Sequence, residues 1–427
     1  MHTLVIGAGV AGLTCARALL RAGQRVTVLE AGDNVGGRVR SDRVDGFTLD
    51  RGFQVLFTAY PAARRLLNYH DLDLCAFDPG AVICAAGRRA VLTDPRRDHN
   101  PGAILGAALT MALSPLDKLR AMALAAELRA APIAELLDGE DTTTEAFLRA
   151  RGFSAGAIER FFRPFFGGIF LDRSLSTSAK CFKFNLKMLS EGEAALPSRG
   201  MGDIARQLAI EPREAGAVRL GVRVEALATN GPRVTGALLA DGSRFEADAV
   251  VLATPAPEAA RLSGLPTPAA HVGAVTLYFA GEEPAYRGKK LLLNAEPDAF
   301  VCHAAQVSNV ALGYAPPGEH LLSATVLGVP PLDDDELFAR ALADLRRMFA
   351  GDAAAQRALA GYRPLRLYRI PYGQFAQPPG FHASLPDNRT GRPGLFFAAE
   401  FTEASSINAA MISGEKCAEA ILRAGAA

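Results

Sequence analysis

Residues 2–30 read HTLVIGAGVAGLTCARALLRAGQRVTVLE, and this stretch decides the fold. His2 to Ile6 is a short, β-rich apolar run. It breaks at Gly7-Ala8-Gly9-Val10-Ala11-Gly12, after which Leu13, Ala16, Leu19 and Leu20 recur at helical spacing. Arg25 to Leu29 is a second strand pattern, closed by Glu30. Strand, GxGxxG, helix, strand and acid in this order predict a βαβ unit that cradles a dinucleotide. Gly7 permits the tight turn after the strand. Gly9 lets the backbone approach a pyrophosphate, with Ala11 beside it in the loop, and Gly12 lets helix pack closely on strand. The helix start offers free N–H groups and a positive dipole end to phosphate. Glu30 follows Gly7 by 23 residues, where its carboxylate accepts from ribose hydroxyls and repels a 2′-phosphate.

That charge favours FAD or NAD over NADP. Asp33-Asn34-Val35-Gly36-Gly37-Arg38 comes directly after the second strand. Its two glycines allow close approach to a ligand, and Arg38 supplies a planar fork for phosphate oxygens or a flavin carbonyl. Leu49-Asp50-Arg51-Gly52-Phe53-Gln54 follows. With these segments the chain resembles the FAD-dependent amine oxidase superfamily, which includes monoamine oxidases, protoporphyrinogen oxidases and phytoene desaturases. The resemblance implies FAD rather than NAD, with Gly52 and Phe53 beside the isoalloxazine and Arg51 and Gln54 as further contacts to flavin or substrate.

Four later segments carry the same resemblance. Leu196-Pro197-Ser198-Arg199-Gly200-Met201-Gly202 matches a family turn, although Arg199 stands where glycine is common. Val222 to Leu227 resembles the strand whose valine backbone meets adenine, which singles out Val224, and Asp248 to Pro255 resembles the strand returning to the FAD domain, with Thr254 at its end. At the C-terminus, Leu395 to Glu400 is a strand ending in an acid, and Ser405 to Gly414 opens a helix. By resemblance Glu400 meets the ribityl or pyrophosphate region, and the N–H groups near Ile407 meet the flavin edge. No cysteine lies near Glu400 to Ile407, so noncovalent FAD is expected.

The fold class expected is α/β: a discontinuous Rossmann-like FAD-binding domain with an inserted α+β substrate domain. The FAD domain takes residues 1–62, 197–265 and 388–427. The substrate domain takes 63–196 and 266–387, mostly helical over about 100–190 and sheet over about 266–387. Strand patterns stand at Val272 to Phe279, Leu291 to Leu293 and Leu321 to Val326, and an amphipathic helix at Asp334 to Phe349.

Composition closes off other classes. There are 46 Lys+Arg against 45 Asp+Glu, a net charge of +1, so no basic excess exists to neutralise nucleic acid. The six cysteines form no CxxC pair and the seven histidines show no metal-ligand spacing, so free thiols in a reducing compartment and no metal are expected. The first motif begins by residue 7, leaving no room for a secretory leader, and no apolar run approaches a membrane span. A cytoplasmic location follows as the expectation, with one qualification. Pro101 to Leu113 (PGAILGAALTMAL), followed by Asp117-Lys118-Leu119-Arg120, reads either as a helix docking on the inner membrane face or as a buried helix of the substrate domain.

No CxxxxC disulfide and no second GxGxxG is present, so a disulfide reductase or NADH-driven enzyme is not expected. The expected reaction is oxidation of a small organic molecule by hydride transfer to flavin N5, with oxygen or a quinone as acceptor. Within the superfamily, amine oxidases carry a lysine on the central substrate strand and an aromatic pair before the flavin. His271 to Phe279 has no lysine, and Phe401, Tyr372 and Phe375 are the candidates for the pair. Arg160 to Asp172 and Tyr368 to Phe375 instead resemble desaturase segments. The substrate expected is therefore apolar and of isoprenoid type, desaturated without an acid/base dyad, and no catalytic residue is assigned. The alternatives are a flavin amine oxidase and a non-catalytic FAD-binding interaction protein.

Overall fold

The computed structural model describes residues 1–94, 96–110 and 112–426. A five-stranded parallel sheet runs in the order Val218–Leu220, Arg25–Glu30, His2–Ile6, Ala249–Leu252, Leu395–Phe397. Its strands are apolar on both faces because both faces are covered. Val5, Val28 and Val251 pack with Leu13 and Ala16 of the helix Val10–Arg21. Leu4, Ile6, Val250 and Leu252 point the other way, onto Val234 and Ala237. Those two belong to an antiparallel three-stranded sheet, Val224–Asn230, Arg233–Leu239 and Arg244–Glu246. The C-terminal helix Ile407–Ala426 lies alongside the first helix.

A seven-stranded mixed sheet forms the second half: Arg363–Phe375, His271–Gly281, His320–Leu327, His303–Ala305, Leu291–Asn294, Ala81–Ala85, Arg88–Leu92. The last two strands extend a sheet expected from residues 266–387 alone, and no local pattern announces them. They form a hairpin about Ala86-Gly87, both with positive φ (49° and 69°), the two-residue turn that matches strand twist. Ala81–Ala85 joins the sheet in parallel with Leu291–Asn294, a pairing between segments far apart in the chain. The helix Asp334–Met348, N-capped by Asp333, buries Leu337, Ala341 and Leu345 against Val275, Leu277 and Phe279.

Residues 101–191 hold the helices Pro101–Leu109, Pro115–Ala130, Thr144–Ala150, Arg163–Phe170 and Ala179–Glu191, in the stretch that the sequence reads as mostly helical. The apolar run beginning at Pro101 is not a buried helix. None of the nine residues of Pro101–Leu109 is buried, and Leu105 and Leu109 are 59% and 70% exposed. Met111 of the same run lies outside the described residues. Among the described residues, no helix is long and apolar enough to cross a membrane.

Asp50 ties the two halves together. Its carboxylate accepts from Ser41 Oγ (2.5 Å), Met201 N (2.8 Å) and Tyr314 OH (2.8 Å), and its carbonyl accepts from Tyr278 OH (2.9 Å). Burial pushes this carboxyl up to about 6, against the pull of the three donors toward the charged form.

Candidate active site

The glycine loop takes the conformation its sequence demands. Gly7 has φ +107°, and a Cβ there would stand 2.7 Å from Ala253 O. A Cβ on Gly12 would stand 2.2 Å from Gly7 O, so the first helix rests directly on the loop. Gly9 differs: its φ is −74° and a Cβ would meet nothing within 4 Å, because its open side lines a cavity. The helix starts at Val10 with no side-chain cap and no acid in its first turn, leaving its N–H groups free. Gly36 N donates to Ala8 O (2.8 Å), laying the Gly36-Gly37 turn against Gly9.

Glu30 is held from both sides. Oε2 accepts from Ala8 N and Oε1 from Gly32 N, each at 2.8 Å. The carboxylate is thereby fixed at the cavity wall with lone pairs to spare for ribose hydroxyls.

Arg38 and Glu400, expected as separate cofactor contacts, form an ion pair with each other. Arg38 also donates to Gly373 O (3.0 Å) and lies over the Tyr372 ring, 5.3 Å from its centroid. Gln54 Nε2 donates to Arg38 O (2.8 Å), and Arg51 pairs with Asp42 (2.9 Å). Next to the glycine loop, Thr254 Oγ1 is buried with no partner among the described residues. Ser406 Oγ accepts from Ala409 N (3.0 Å) and caps the C-terminal helix, whose first residues from Ile407 line the cavity. Gly52 has φ +101° with Ile370 Cδ1 2.6 Å from where a Cβ would be, and Phe53 N donates to Thr276 Oγ1 (3.1 Å).

One cavity of about 1340 Å³ gathers Gly7, Gly9, Ala11, Glu30, Gly37, Arg38, Gly52, Phe53, Val224, Thr254, Glu400 and Ile407 along its wall. Gly12 alone of the expected contacts stays behind it, as the packing glycine. The volume exceeds the roughly 300–1,000 Å³ that holds one drug-sized ligand, so there is room for a cofactor and a substrate. Away from the glycine loop the wall is mainly apolar, with Phe161, Phe165, Phe184, Leu189, Ile104 and Leu113, and Arg97 and Lys118 stand among them. The Phe161–Phe170 cluster serves two purposes. Phe162, Phe166 and Phe170 are core, at most 3% exposed, while Phe161 and Phe165 stack at 5.4 Å on a half-buried edge.

The aromatic candidates before the flavin are elsewhere. Phe401 is fully buried against Phe397 (5.3 Å), and Phe375 packs on Phe381 (5.9 Å). Tyr372 lies under Arg38. None of the three lines the cavity. Sequence reasoning passed over His303, whose buried ring does line it. Its strand of three residues, His-Ala-Ala, is too short to show alternation.

With this geometry in view, the comparisons with known proteins are specific. Residues 10–422 match the flavin containing amine oxidoreductase family. The chain is 31% identical to coproporphyrinogen III oxidase of Propionibacterium freudenreichii subsp. freudenreichii over 172 residues, 40% of this chain and 32% of that protein. The matched part thus spans about a third of that relative's length. It is 22% identical to the 15-cis-phytoene desaturase of Glycine max, covering 99% of this chain and 80% of that protein. A solved oxidoreductase from Methanosarcina mazei shares the fold, with TM-score 0.74 at 18% identity over 99% of this chain and 100% of that one. The chain belongs to the flavin containing amine oxidoreductase family.

The residues present fit a flavin. Thr254 Oγ1 awaits a partner, and the open side of Gly9 leaves room for a bulky ligand at the helix start. Replacing Gly9 and Gly12 separates binding from folding. Gly9→Ala meets no protein atom, so the apoprotein's stability changes by no more than about 1 kcal/mol while flavin retention drops. Gly12→Ala collides with Gly7 O and costs about 1–3 kcal/mol or more, as in an overpacked core. Thermal unfolding of the apoproteins beside flavin content on purification checks both; equal effects of the two substitutions would contradict this assignment.

Proposed function

We propose that the chain binds FAD noncovalently and oxidises an apolar, isoprenoid-type substrate. The observation that carries this reading is a single cavity with a glycine-lined, charged end and a phenylalanine- and leucine-lined end. Bound there, the flavin supplies an acceptor for hydride at N5. The chain's own residues do the rest. Glu30, pre-set by two backbone donors, favours a ribose diol over a 2′-phosphate. The Arg38–Glu400 pair joins the Gly36-Gly37 turn to the C-terminal motif and presents balanced charge rather than a bare cation. Phe161, Phe165 and their apolar neighbours exclude water and align the substrate chain.

The thiols support the noncovalent reading. Among the described residues, Cys181 is the one cysteine on the cavity wall, and burial pushes it up to about 12, so it stays protonated. Cys417 is buried beside Cys15, inside the C-terminal helix. The amine oxidase alternative is less well supported. Thr276 occupies the middle of the strand His271–Gly281, and among the described residues the one lysine on the wall is Lys118, on the distant helix Pro115–Ala130. Anaerobic mixing distinguishes the two. An isoprenoid polyene is expected to bleach the visible flavin band, and putrescine and benzylamine to leave it intact. Bleaching by an amine and not by the polyene would reverse the assignment.

The outer face of the cavity wall supports membrane contact. Ile104, Ala107 and Ala108 of Pro101–Leu109 line the cavity, while Leu105 and Leu109 face outward. On the next helix, Leu116, Leu119 and Met122 are 53%, 59% and 43% exposed. Lys118 Nζ donates to Ala108 O (3.1 Å) and Thr110 O (2.8 Å), clasping the two helices together. An exposed apolar patch of this kind, at the end of an apolar cavity, suits the surface of a bilayer from which a lipophilic substrate is drawn. The protein is expected to float with liposomes, and Leu105→Glu with Leu109→Glu to stay at the bottom of the gradient. Failure of the unaltered protein to float would remove the membrane from the account.

A further inference from the structure

The wall that the seven-stranded sheet gives to the cavity, beside Phe53, contains a polar row. His303 pairs across its strand with Thr325, and Thr325 pairs with Thr276, so the three sit side by side on one face of the seven-stranded sheet. All three line the cavity. His303 is 4% exposed, and neither ring nitrogen has a partner. Thr325 is 2% exposed, and its Oγ1 has none. Thr276 Oγ1 accepts from Phe53 N.

The imidazole is held in place. Phe53 packs against it, with ring centroids 4.9 Å apart. A Cβ on Gly168 would stand 2.7 Å from Nδ1, so only glycine leaves room for the ring. Burial pushes the imidazole down to about 4, so it is neutral at physiological pH, with one nitrogen donating and the other accepting. Buried polar atoms without partners are costly, and an apolar side chain would remove that cost if packing were the only task of this position.

We infer that His303 and Thr325 form a specificity site for one uncharged oxygen, hydroxyl or carbonyl, on an otherwise apolar substrate. Phe53, Gly168, Thr325 and the strand neighbour Leu293 bring no charge to the ring, so a carboxylate there would be buried without a counter-ion. A pure hydrocarbon would leave both side chains unpaired. A site built to hydrogen-bond an oxygen discriminates strongly against the analogue that lacks it. This rests on the apolar-substrate reading and narrows it.

The test uses the flavin-loaded protein and two probes: geranylgeraniol, and the hydrocarbon of the same isoprenoid skeleton with a methyl group in place of the hydroxymethyl. Titration calorimetry reads each dissociation constant. The unaltered protein is expected to bind the alcohol about tenfold more tightly than the hydrocarbon, a difference of ~1.4 kcal/mol. His303→Leu is expected to remove that preference while keeping hydrocarbon affinity and flavin content. His303→Gln, which retains a donor and an acceptor, is expected to keep part of it. Equal affinity of the unaltered protein for the two probes would overturn the inference while leaving the apolar-substrate reading intact. Binding of neither probe would overturn both. The comparison in the unaltered protein depends on no variant folding.

Discussion

The first helix is pressed between two backbones. On one side Gly12 rests on the glycine loop, where a Cβ would lie 2.2 Å from Gly7 O. On the other, Gly414 of the C-terminal helix meets Ala11, where a Cβ would lie 2.5 Å from the carbonyl oxygen. These two approaches bring the starts of both helices, at Val10 and at Ile407, to the wall of one cavity. Side chains larger than hydrogen at either glycine would move one helix start away from the other. The glycine-lined end of the cavity depends on that spacing, because free N–H groups act only within the first turn.

The rest of the cavity is assembled around this core by long-range contacts. Arg38 reaches Glu400 and Gly373, joining the second glycine turn to the C-terminal motif and the edge strand of the mixed sheet. Asp50 gathers donors from Ser41, Met201 and Tyr314 and fixes the segment that continues to Gly52 and Phe53. The mixed sheet then contributes Thr276, Thr325 and His303 to the wall. A charged end and an apolar end thus meet in one continuous space.

Legibility in the sequence followed the range of the interactions. The βαβ unit was readable because its signal is local: a strand, three glycines, a helical period and an acid within residues 2–30. Glu30 was readable for the same reason, although its clamping by Ala8 and Gly32 was not. The Arg38–Glu400 pair spans most of the chain, so each residue was visible only as a separate candidate. The strands Ala81–Ala85 and Arg88–Leu92 are short and depend on pairing with Leu291–Asn294. Phe401 and Phe375 follow the right motifs yet point into the core, a matter of side-chain direction that no spacing reveals. His303 carries no motif at all; only burial without partners marks it.

The most direct measurement is the fate of the yellow colour. Protein purified without added cofactor and then denatured by heat should release its entire chromophore through a filter that retains the chain, and chromatography should identify it as intact FAD. Preparations that are colourless and take up no FAD, or colour that stays with the denatured polypeptide, would contradict the account.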